Sequence, residues 1–397
     1  MPEDTLIRSL LLPELSLIEA RPIWRKRTLE LHVFKQPMVE YCPHCASASE
    51  SAYDHRSVRL KDEPLRGIQV RLVIRKRRLW CRDCRRAFTE PVPGVMKGKR
   101  HTERYGRAVL RYCEQYSDLR QVRKDLRCSA GFLYETLYRH LELERRKHQY
   151  PWPSVVGLDE HFFRRNKRLR TRRFVSMVVD YRNRRLFEVV DGRTGQELER
   201  DLAHIPEREN VRLVVLDLSD PYKSFAKRFF PNAQLVADKF HVLRLLNPAL
   251  ARRRTEAYGR GRRAARARRL LLCSRQRLDF WAKVEIRDFL GQHPELREVY
   301  EAKEALHTFY RTRGVDRAKQ AFQNLLKRLK TSVLPELQAL RRTLVRWREE
   351  VLAYFATGVT NGRTEGFNLK AKLVKRRAFG YRSFRNYRLR LLNSCAH

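Results

Sequence analysis

The sequence lacks the features that a membrane-bound or secreted protein requires. No apolar run approaches the roughly 18 residues that a membrane-spanning helix needs. The opening residues, Met1 to Asp4, include two acidic side chains, whereas a secretory signal begins with basic ones. A Gly-rich phosphate loop of the Walker type and a nucleophilic serine motif are also absent. From these absences we expect a cytoplasmic protein whose chemistry depends on other residues.

Acidic residues are scarce in comparison with basic residues. Lys and Arg total 87 while Asp and Glu total 45, which gives a formal net charge of +42. Such a surface repels itself unless a polyanion covers it, and the usual polyanion is nucleic acid. Hydrophobic residues make up 42% of the chain, so it can bury a core and does not belong to the disordered class. The composition therefore predicts a folded protein that binds nucleic acid.

The 397 residues are enough for two or three domains of roughly 150 residues each. Pro91, Pro93 and Gly94 mark one boundary, and Pro151 and Pro153 mark the next. Short β-branched runs after the second boundary are typical of a mixed α/β core. The predicted core strands are 154–158, 173–179, 185–190, 211–216 and 234–237. The predicted segments are an N-terminal region with the ribbon described next (1–94), a helical DNA-binding domain (95–150), the first part of the core (151–244), an all-helical insertion (245–350) and the last part of the core (351–397).

Four of the cysteines form two Cys-x-x-Cys pairs, Cys42 with Cys45 and Cys81 with Cys84. Two such pairs supply the four thiolates that hold one structural Zn²⁺ in a zinc ribbon. Redox thiols or a disulfide pair are the alternatives, but a disulfide framework is unusual in a long cytosolic chain. His44 and His55 are possible substitute ligands, and we favour the four cysteines.

Basic residues and a tryptophan crowd the second cysteine pair, and we expect this part of the ribbon to face DNA. The candidate contacts are Arg75, Arg77, Arg78 and Trp80. The alternative interpretation is a basic face that is merely solvated.

Two helices are predicted after the ribbon, at 117–127 and 132–141, with a short turn at 128–131. This turn length suits a helix-turn-helix, whose second helix enters the major groove. Lys124, Tyr134 and Arg139 are then candidate DNA contacts. A plain helical hairpin has the same sequence pattern and is the alternative.

Two carboxylates follow predicted core strands: Asp159 follows the first and Asp217 the fourth. In a sheet of the ribonuclease-H type these strands are neighbours, so both carboxylates meet at one edge. Mg²⁺ favours a few carboxylate oxygens and retains water, and two such ions can activate the attacking oxygen and stabilise the leaving oxygen at phosphorus. The pattern predicts a site for two Mg²⁺ or Mn²⁺ ions.

Glu365 is the candidate third carboxylate, because it is the only acidic residue from Val351 onwards and basic residues surround it. On a helix, Asn368, Lys372 and Arg376 would lie on the same face. A structural ion pair is the alternative role for Glu365. Asp238 and His241 either cap a helix or support the active site. The rival acids, which we favour less, are Glu160, Asp180, Asp191 and Asp220. We interpret Asp220 as the N-cap of a helix whose first residue is Pro221.

Several motifs together resemble the DDE transposases of bacterial insertion sequences, of the ISL-three type, over nearly the whole chain. Besides the ribbon and the predicted helix-turn-helix, these motifs are Gly157-Leu-Asp-Glu-His-Phe, Val215-Leu-Asp-Leu-Ser-Asp-Pro-Tyr, Ala237-Asp-Lys-Phe-His and Thr360-Asn-Gly-Arg-Thr-Glu-Gly-Phe-Asn-Leu-Lys-Ala-Lys, followed by Lys375-Arg-Arg-Ala-Phe-Gly-Tyr-Arg. One departure is Thr364, which stands immediately before Glu365.

The resemblance implies a ribonuclease-H-like core with a helical insertion and a metal-binding triad of Asp159, Asp217 and Glu365. It implies support of that triad by Asp238 and His241, to which we add Asn368. The implied function is binding of terminal inverted repeats, metal-assisted cleavage and transfer of the 3′-hydroxyl to target DNA. We further expect a homodimer on double-stranded DNA and association with the nucleoid. The candidate phosphate contacts near the C-terminus are Arg363, Lys370, Lys372, Lys375, Arg376 and Arg377.

Two other functions fit part of the pattern. A transcriptional regulator derived from a transposase would keep the DNA-binding elements with an inert core, and the intact set of carboxylates argues against it. A structure-selective nuclease would cleave DNA without joining it, and joining of a pre-cleaved end distinguishes it from a transposase.

Overall fold

The computed structural model describes residues 10–116, 118–147, 149–165, 171–259 and 261–395, without the side chains of Arg165, Arg263, Ala264 and Arg363. Two of the positions considered above, Ser117 and the Arg363 side chain, therefore lie outside the described residues. The chain divides into two compact units, residues 1–147 with 376–380 and residues 148–375 with 381–397. No helix in the described ranges has both the length and the apolar character to cross a membrane.

The N-terminal unit is built on a β-sheet with the strand order β1-β2-β6-β5, in which β7 also pairs with β6. Alternate residues of β2, among them Leu31 and Val33, face a small apolar core that they share with Leu72 and Ile74 of β6. A separate two-stranded sheet, β3-β4, carries the first cysteine pair. The strands are β1 (Leu15–Ile23), β2 (Thr28–Lys35), β3 (Glu40–Tyr41), β4 (Ala48–Ser49), β5 (Ala52–Leu65), β6 (Ile68–Trp80) and β7 (Ala87–Thr89).

Three helices follow this sheet: α1 (Glu103–Gln115), α2 (Leu119–Leu126) and α3 (Ala130–Lys147). The Asp118 side chain caps α2 by accepting a hydrogen bond from the Arg120 amide, and Arg127 ends the helix in a left-handed conformation. The turn between α2 and α3 is shorter than the sequence predicts, and α3 extends six residues beyond position 141. Its buried side chains recur at helical spacing as far as Leu141, so the apolar pattern marks the packed part of α3 and not its polar continuation.

The second unit contains a five-stranded mixed sheet with the order β10-β9-β8-β11-β12. Strands β8 and β9 are antiparallel, as are β9 and β10, whereas β11 lies parallel to both β8 and β12. Asn183 lies in the turn between β9 and β10, and its side chain donates to Asp180. The strands are β8 (Val155–Arg165), β9 (Arg172–Asp180), β10 (Arg185–Asp191), β11 (Leu213–Leu216) and β12 (Gln234–Ala237).

Asp159 occupies a different position from the predicted one, because β8 does not end before it. The strand continues to Arg165, since β9 still pairs with it after β11 has ended at Leu216. The predicted neighbourhood of the first and fourth strands is confirmed by their parallel pairing, in which Leu158 lies opposite Leu216. Asp159 is therefore an in-strand residue beside the point where β11 ends.

Apolar residues cover both faces of this sheet, as expected for strands that read as continuous hydrophobic runs. Along β11, Val214 and Leu216 join one core cluster, whereas Leu213 and Val215 join another on the opposite face. The first cluster continues into the helical region, and the second includes Ala371 and other residues of the last two helices. The described chain is helical from Lys239 to Thr357 apart from short connections.

The helices of the second unit are α4 (Gly195–Leu202), α5 (Asp220–Phe229), α6 (Lys239–Arg244), α7 (Asn247–Tyr258), α8 (Arg262–Leu272), α9 (Phe280–Gly291), α10 (Pro294–Phe309), α11 (Val315–Lys330), α12 (Pro335–Arg346), α13 (Arg348–Thr357), α14 (Gly362–Arg377) and α15 (Phe384–Ser394).

Candidate metal centres

The four ribbon cysteines converge on one point. One ligand atom from each of Cys42, Cys45, Cys81 and Cys84 lies within 4.8 Å of the others. The Sγ atoms of Cys42 and Cys84 are 3.6 Å apart, and those of Cys45 and Cys81 are 3.4 Å apart. All four thiols are free. With Zn–S bonds of about 2.3 Å, the edges of a tetrahedron are close to these separations, so the cysteines fit a structural Zn²⁺.

The two cysteine pairs adopt the same local backbone geometry. The amide of Cys42 donates to the carbonyl of Ser47, and the amide of Cys81 donates to that of Arg86. The residue after each second cysteine, Ala46 or Arg85, has a positive φ, 62° and 54° respectively. Each pair is therefore a tight turn that directs two thiols to the same side.

A second cluster lies at the edge of the core sheet. Ligand atoms of Asp159, Asp217 and His241 lie within 4.8 Å of one another. Asp217 directly follows β11 beside Asp159 of β8, and His241 lies on α6, which begins just after the neighbouring β12. The sheet register thus brings the two predicted aspartates together, and the third member is His241 rather than Glu365.

Hydrogen bonds hold both ends of this cluster in place. Asp159 accepts from the Glu160 amide at 2.8 Å and from Asn368 Nδ2 at 2.7 Å. The buried Asp238 accepts from His241 Nδ1 at 2.8 Å and, through its other oxygen, from the Asn361 amide at 3.1 Å. Asp238 therefore orients the histidine and also caps α6, so the two roles considered for it are compatible.

Burial raises the pKa values of the two aspartates. Desolvation raises the pKa of Asp159 to about 6. Desolvation, together with the charge of Asp159, raises the pKa of Asp217 to about 7. The hydrogen bond to Asp238 raises the pKa of His241. Two carboxylates in such a site ionise together most easily when a cation lies between them.

The cluster fits a divalent cation on the chemistry of its donors. Asp217 Oδ1 is buried and has no hydrogen-bond partner among the described residues, and the same holds for Asn368 Oδ1. Buried polar atoms normally have a partner, so an orphaned carboxylate oxygen beside a second carboxylate is the expected trace of a metal site.

Glu365 lies outside this cluster. Its Oε1 accepts a hydrogen bond from Arg244 at 2.8 Å, and the two side chains are 40% and 56% exposed. Its helix, α14, nevertheless reaches the cluster, because Asn368 one turn later contacts Asp159. The sequence gives no sign of Arg244 as the partner, since this contact spans 121 positions and arginines are abundant.

The start of α14 approaches β8 closely at Gly157. A Cβ atom at this position would lie 2.4 Å from the Tyr181 ring and 3.0 Å from Thr364 Oγ1. The Tyr181 hydroxyl donates to Asn361 at 2.7 Å and lies 3.1 Å from Thr364 Oγ1. Gly157 thus allows α14 to dock, and the fully buried Thr364, which is a departure from the family pattern, is part of this contact.

The rival carboxylates have other partners. Glu160 pairs with Arg193, Asp191 with Arg173, and Asp220 with Arg346. Asp220 is also the first residue of α5, whose N-cap is Ser219, so the interpretation of Asp220 as the cap is corrected. Asp180 accepts from the Asn183 side chain and from two amides of the β9–β10 turn, which makes it a structural residue.

The candidate DNA contacts of the ribbon differ in accessibility. Arg75 is exposed and Trp80 is 43% exposed. Arg78 pairs with Asp54 but remains 38% exposed. Arg77 is only 11% exposed and binds Glu90, which is buried, so we remove Arg77 from the DNA-facing set.

The remaining candidates are mostly accessible. Lys124, Arg139, Lys370, Lys372, Arg376 and Arg377 are exposed, and Tyr134 is 44% exposed. Lys375 is half-buried, donates to the Phe162 carbonyl and lies over the Phe162 ring, so part of its role is to pack α14 against β8. The side chain of Arg363 is outside the described set, and its candidacy rests on the sequence.

The cysteine cluster and the paired aspartates define a multidomain protein with two candidate metal centres of different chemistry. Two family models match it: one for transposases of the ISL3 (ISL-three) DDE type over residues 156–391, and one for the zinc finger of the transposases of IS204, IS1001, IS1096 and IS1165 over residues 39–84. Since the first covers more than half of the chain, the protein belongs to the ISL3 family of transposases, and it is by family a DNA-binding, DNA-processing enzyme.

Curated relatives agree with this assignment. The chain is 23% identical over 366 residues to the transposase for insertion sequence element IS1001 of Bordetella parapertussis, with 90% of this chain and 89% of the relative covered. It is 26% identical over 275 residues to the transposase for insertion sequence element IS1557 of Mycobacterium tuberculosis, covering 61% of this chain and 60% of the relative.

Proposed function

We propose that the protein binds the terminal inverted repeats of an insertion sequence, cleaves the element ends and transfers the freed 3′-hydroxyl to target DNA. The observation that carries this proposal is the pair Asp159 and Asp217, side by side at the ends of parallel pairing between β8 and β11, with an orphaned buried oxygen on Asp217. Membership of a transposase family supports the choice of DNA as the substrate.

We further propose that the second unit is a ribonuclease-H-like core interrupted by a helical insertion. Its sheet order, with three antiparallel strands followed by two parallel ones, supports this assignment. The proposed domains keep the boundaries predicted from the sequence: 1–94, 95–150, 151–244, 245–350 and 351–397.

DNA recognition is assigned to the helices α2 and α3 as a helix-turn-helix and to the exposed cations of the ribbon. The exposed Tyr134 and Arg139 on α3 support a role for this helix in the major groove. Lys124, Arg75, Arg78 and Trp80 are assigned to the surrounding backbone and groove contacts. A homodimer on DNA is part of the proposal, since each element has two ends.

Asp159, Asp217 and Glu365 are proposed to hold two Mg²⁺ or Mn²⁺ ions. Ions bound there would activate the attacking oxygen and stabilise the leaving oxygen. The chain itself orients the site: Asn368 holds one oxygen of Asp159, and Asp238 fixes the ring of His241. Glu365 joins this set only when its carboxylate leaves Arg244, which the half-exposed pair permits at a cost of about 1 kcal/mol or less.

The test is strand transfer by Asp159→Asn and Asp217→Asn, measured on a pre-cleaved element end with Mg²⁺ or Mn²⁺. Joining and cleavage should each fall by several orders of magnitude, while duplex binding is retained. Because the ligands act as one unit, the double variant should be scarcely slower than either single variant. Joining within about tenfold of the wild type would overturn the proposed site, and cleavage without any joining by the wild type would indicate a nuclease instead.

A further inference from the structure

A cavity of about 590 Å³ lies at the end of the core strands opposite to Asp159 and Asp217. It is formed by the segment before β8, the turn between β9 and β10, and the segment before β11. Its lining includes Tyr150, Ser154, Arg182, Arg185, Asn210 and Arg212. We call it the arginine cavity.

The charge of the arginine cavity has one sign. Three arginines line it, and no carboxylate does. Arg185 is partly neutralised, because its Nε donates to Asp180 at 3.0 Å while its guanidinium lies 3.5 Å from the centre of the Tyr150 ring. Arg182 and Arg212 are exposed, and neither guanidinium has an ion-pair partner in the described part of the chain.

Unpaired arginines alone would mean little in a chain with 42 surplus positive charges. Here, however, two separate segments, the β9–β10 turn and the segment before β11, bring three guanidinium groups to one concave surface. Guanidinium groups form a planar fork that matches the oxygens of phosphate, and they retain their charge at every physiological pH. The hydroxyl of Ser154 and the amide of Asn210 add neutral polar groups to the same lining. The ligand chemistry that fits this surface is a phosphate anion.

The position of the cavity separates it from the carboxylate cluster. Four residue steps lead along β8 from Val155 to Asp159, which corresponds to about 13 Å at about 3.3 Å per residue. The cavity lies before the start of β8 and the aspartates lie at the far end of its pairing with β11. A phosphate in the cavity is therefore not the phosphate that reacts at Asp159 and Asp217.

We propose that the arginine cavity binds a backbone phosphate of DNA other than the phosphate that reacts at the carboxylate cluster. The choice of DNA rests on the proposed function, whereas the choice of a phosphate anion rests on the lining alone. In this role Arg182 and Arg212 hold the phosphate, and Tyr150 keeps the Arg185 guanidinium oriented by stacking.

The first test uses the unaltered full-length protein and an arginine-modifying dicarbonyl reagent, with modification at each position measured by mass spectrometry. Inorganic phosphate and a DNA duplex are tested separately as protecting ligands. At a ligand concentration of twice the Kd, modification of Arg182 and Arg212 should slow about threefold by mass action. Arg313 and Arg317, exposed arginines of the helical region, are the controls.

Each result of this test decides a part of the proposal. Selective protection of Arg182 and Arg212 by both ligands supports it. Protection by inorganic phosphate alone would overturn the assignment to DNA, and equal protection of all four arginines, or of none, would overturn the site.

The second test measures how DNA affinity depends on salt. Each phosphate neutralised on B-DNA contributes about 0.9 to the slope of log affinity against log salt. Because the cavity holds one phosphate, the double variant Arg182→Ala/Arg212→Ala should lower the slope by about 0.9, whereas Arg182→Lys/Arg212→Lys should retain it. The double variant Arg313→Ala/Arg317→Ala removes the same charge elsewhere. An equal change of slope in both alanine variants would contradict a specific site. If the wild-type protein does not cleave DNA but the slope still falls only in Arg182→Ala/Arg212→Ala, the proposed function alone is overturned.

Discussion

The ribbon and the core edge are both candidate metal centres, but they differ in how many of their predicted ligands lie together. In the ribbon all four predicted ligands converge within 4.8 Å. At the core edge two predicted aspartates converge with His241, while Glu365 binds Arg244. The ribbon thiols belong to two tight turns, each between two paired strands, β3 with β4 and β6 with β7. Glu365, in contrast, depends on a helix that returns to the sheet after more than a hundred intervening residues. In the site assembled from local turns, all ligands are already in place in the folded chain. In the site assembled from distant elements, one candidate ligand can still move when the substrate binds.

The largest expected effect concerns the ribbon. Cys81→Ser removes one thiolate and should abolish stoichiometric zinc, because the binding free energy of such sites, on the order of 10 kcal/mol, is also folding free energy. Elemental analysis should fall from one zinc per chain to none, and proteolysis should then cleave within residues 39–89. Cys273→Ser, outside the ribbon, is the control and should keep its zinc. Retention of zinc by Cys81→Ser would show that the ion is bound elsewhere.

The ribbon was predictable because its signal is local. The spacing of the cysteines names the ligands, and the turn geometry at Ala46 and Arg85 follows from that spacing. The strand pattern of the core was also readable, because buried strands are continuous apolar runs. The end of β8 could not be predicted from the sequence. Its continuation past Asp159 depends on pairing with β9, which no local pattern reveals.

The second expected effect concerns Glu365. Glu365→Gln keeps the size of the side chain and removes the charge that divalent ions require, so cleavage and joining should fall by several orders of magnitude. DNA binding should persist or tighten, because the surrounding segment becomes more positive. Strand transfer on a pre-cleaved end, with binding and melting measured in parallel, is the appropriate assay.

Glu336→Gln is a control, since Glu336 is likewise a glutamate held by arginines, Arg252 and Arg253, but lies in α12, which supplies no ligand to the carboxylate cluster. It should lower stability with little effect on joining. If Glu365→Gln behaves in the same way, Glu365 is a structural ion-pair partner and His241 becomes the third ligand.

A smaller effect is expected from Arg244→Gln. Removing Arg244 frees Glu365 from an ion pair whose members are 56% and 40% exposed, and such pairs are worth about 0.2–1 kcal/mol. The Mg²⁺ concentration for half-maximal joining should therefore fall by up to about fivefold. Arg346→Gln removes a similarly exposed arginine from its pair with Asp220 and should leave this concentration unchanged. A higher Mg²⁺ requirement in Arg244→Gln would mean that Arg244 assists the site.

The Glu365–Arg244 contact also marks the limit of sequence reasoning at this site. The isolation of Glu365 among basic residues identified it as a candidate, but the same abundance of cations prevented any choice of its partner. Gly157 and Thr364 show the same limit. Their role in docking α14 against β8 follows from a close approach between distant segments, which spacing along the chain does not encode.

The smallest expected effect is a loss of stability with rising pH. It arises at the carboxylate cluster and not at the ribbon. The pKa of Asp217 is raised from 3.8 to about 7 in the folded protein. The unfolded chain therefore releases this proton at lower pH than the folded chain does. The stabilising contribution of the protonated form is complete below about pH 4 and is lost as pH rises through about 7. The side chain of Asp217→Asn cannot ionise. As pH rises over this range, the melting temperature of this variant should therefore increase by a few degrees relative to that of the wild type.

The measurement is thermal unfolding in Mg²⁺-free buffer without a chelator, so that the ribbon keeps its zinc. Adding Mg²⁺ near pH 8 should raise the melting temperature of the wild type and not that of Asp217→Asn, because bound cation replaces the proton between the two aspartates. Asp220→Asn removes an exposed carboxylate outside the cluster and is the control for a simple loss of negative charge. If Asp220→Asn and Asp217→Asn gain equally with pH, the effect is a general response to net charge. A gain confined to Asp217→Asn and removed by Mg²⁺ locates the cation at the pair formed by Asp159 and Asp217.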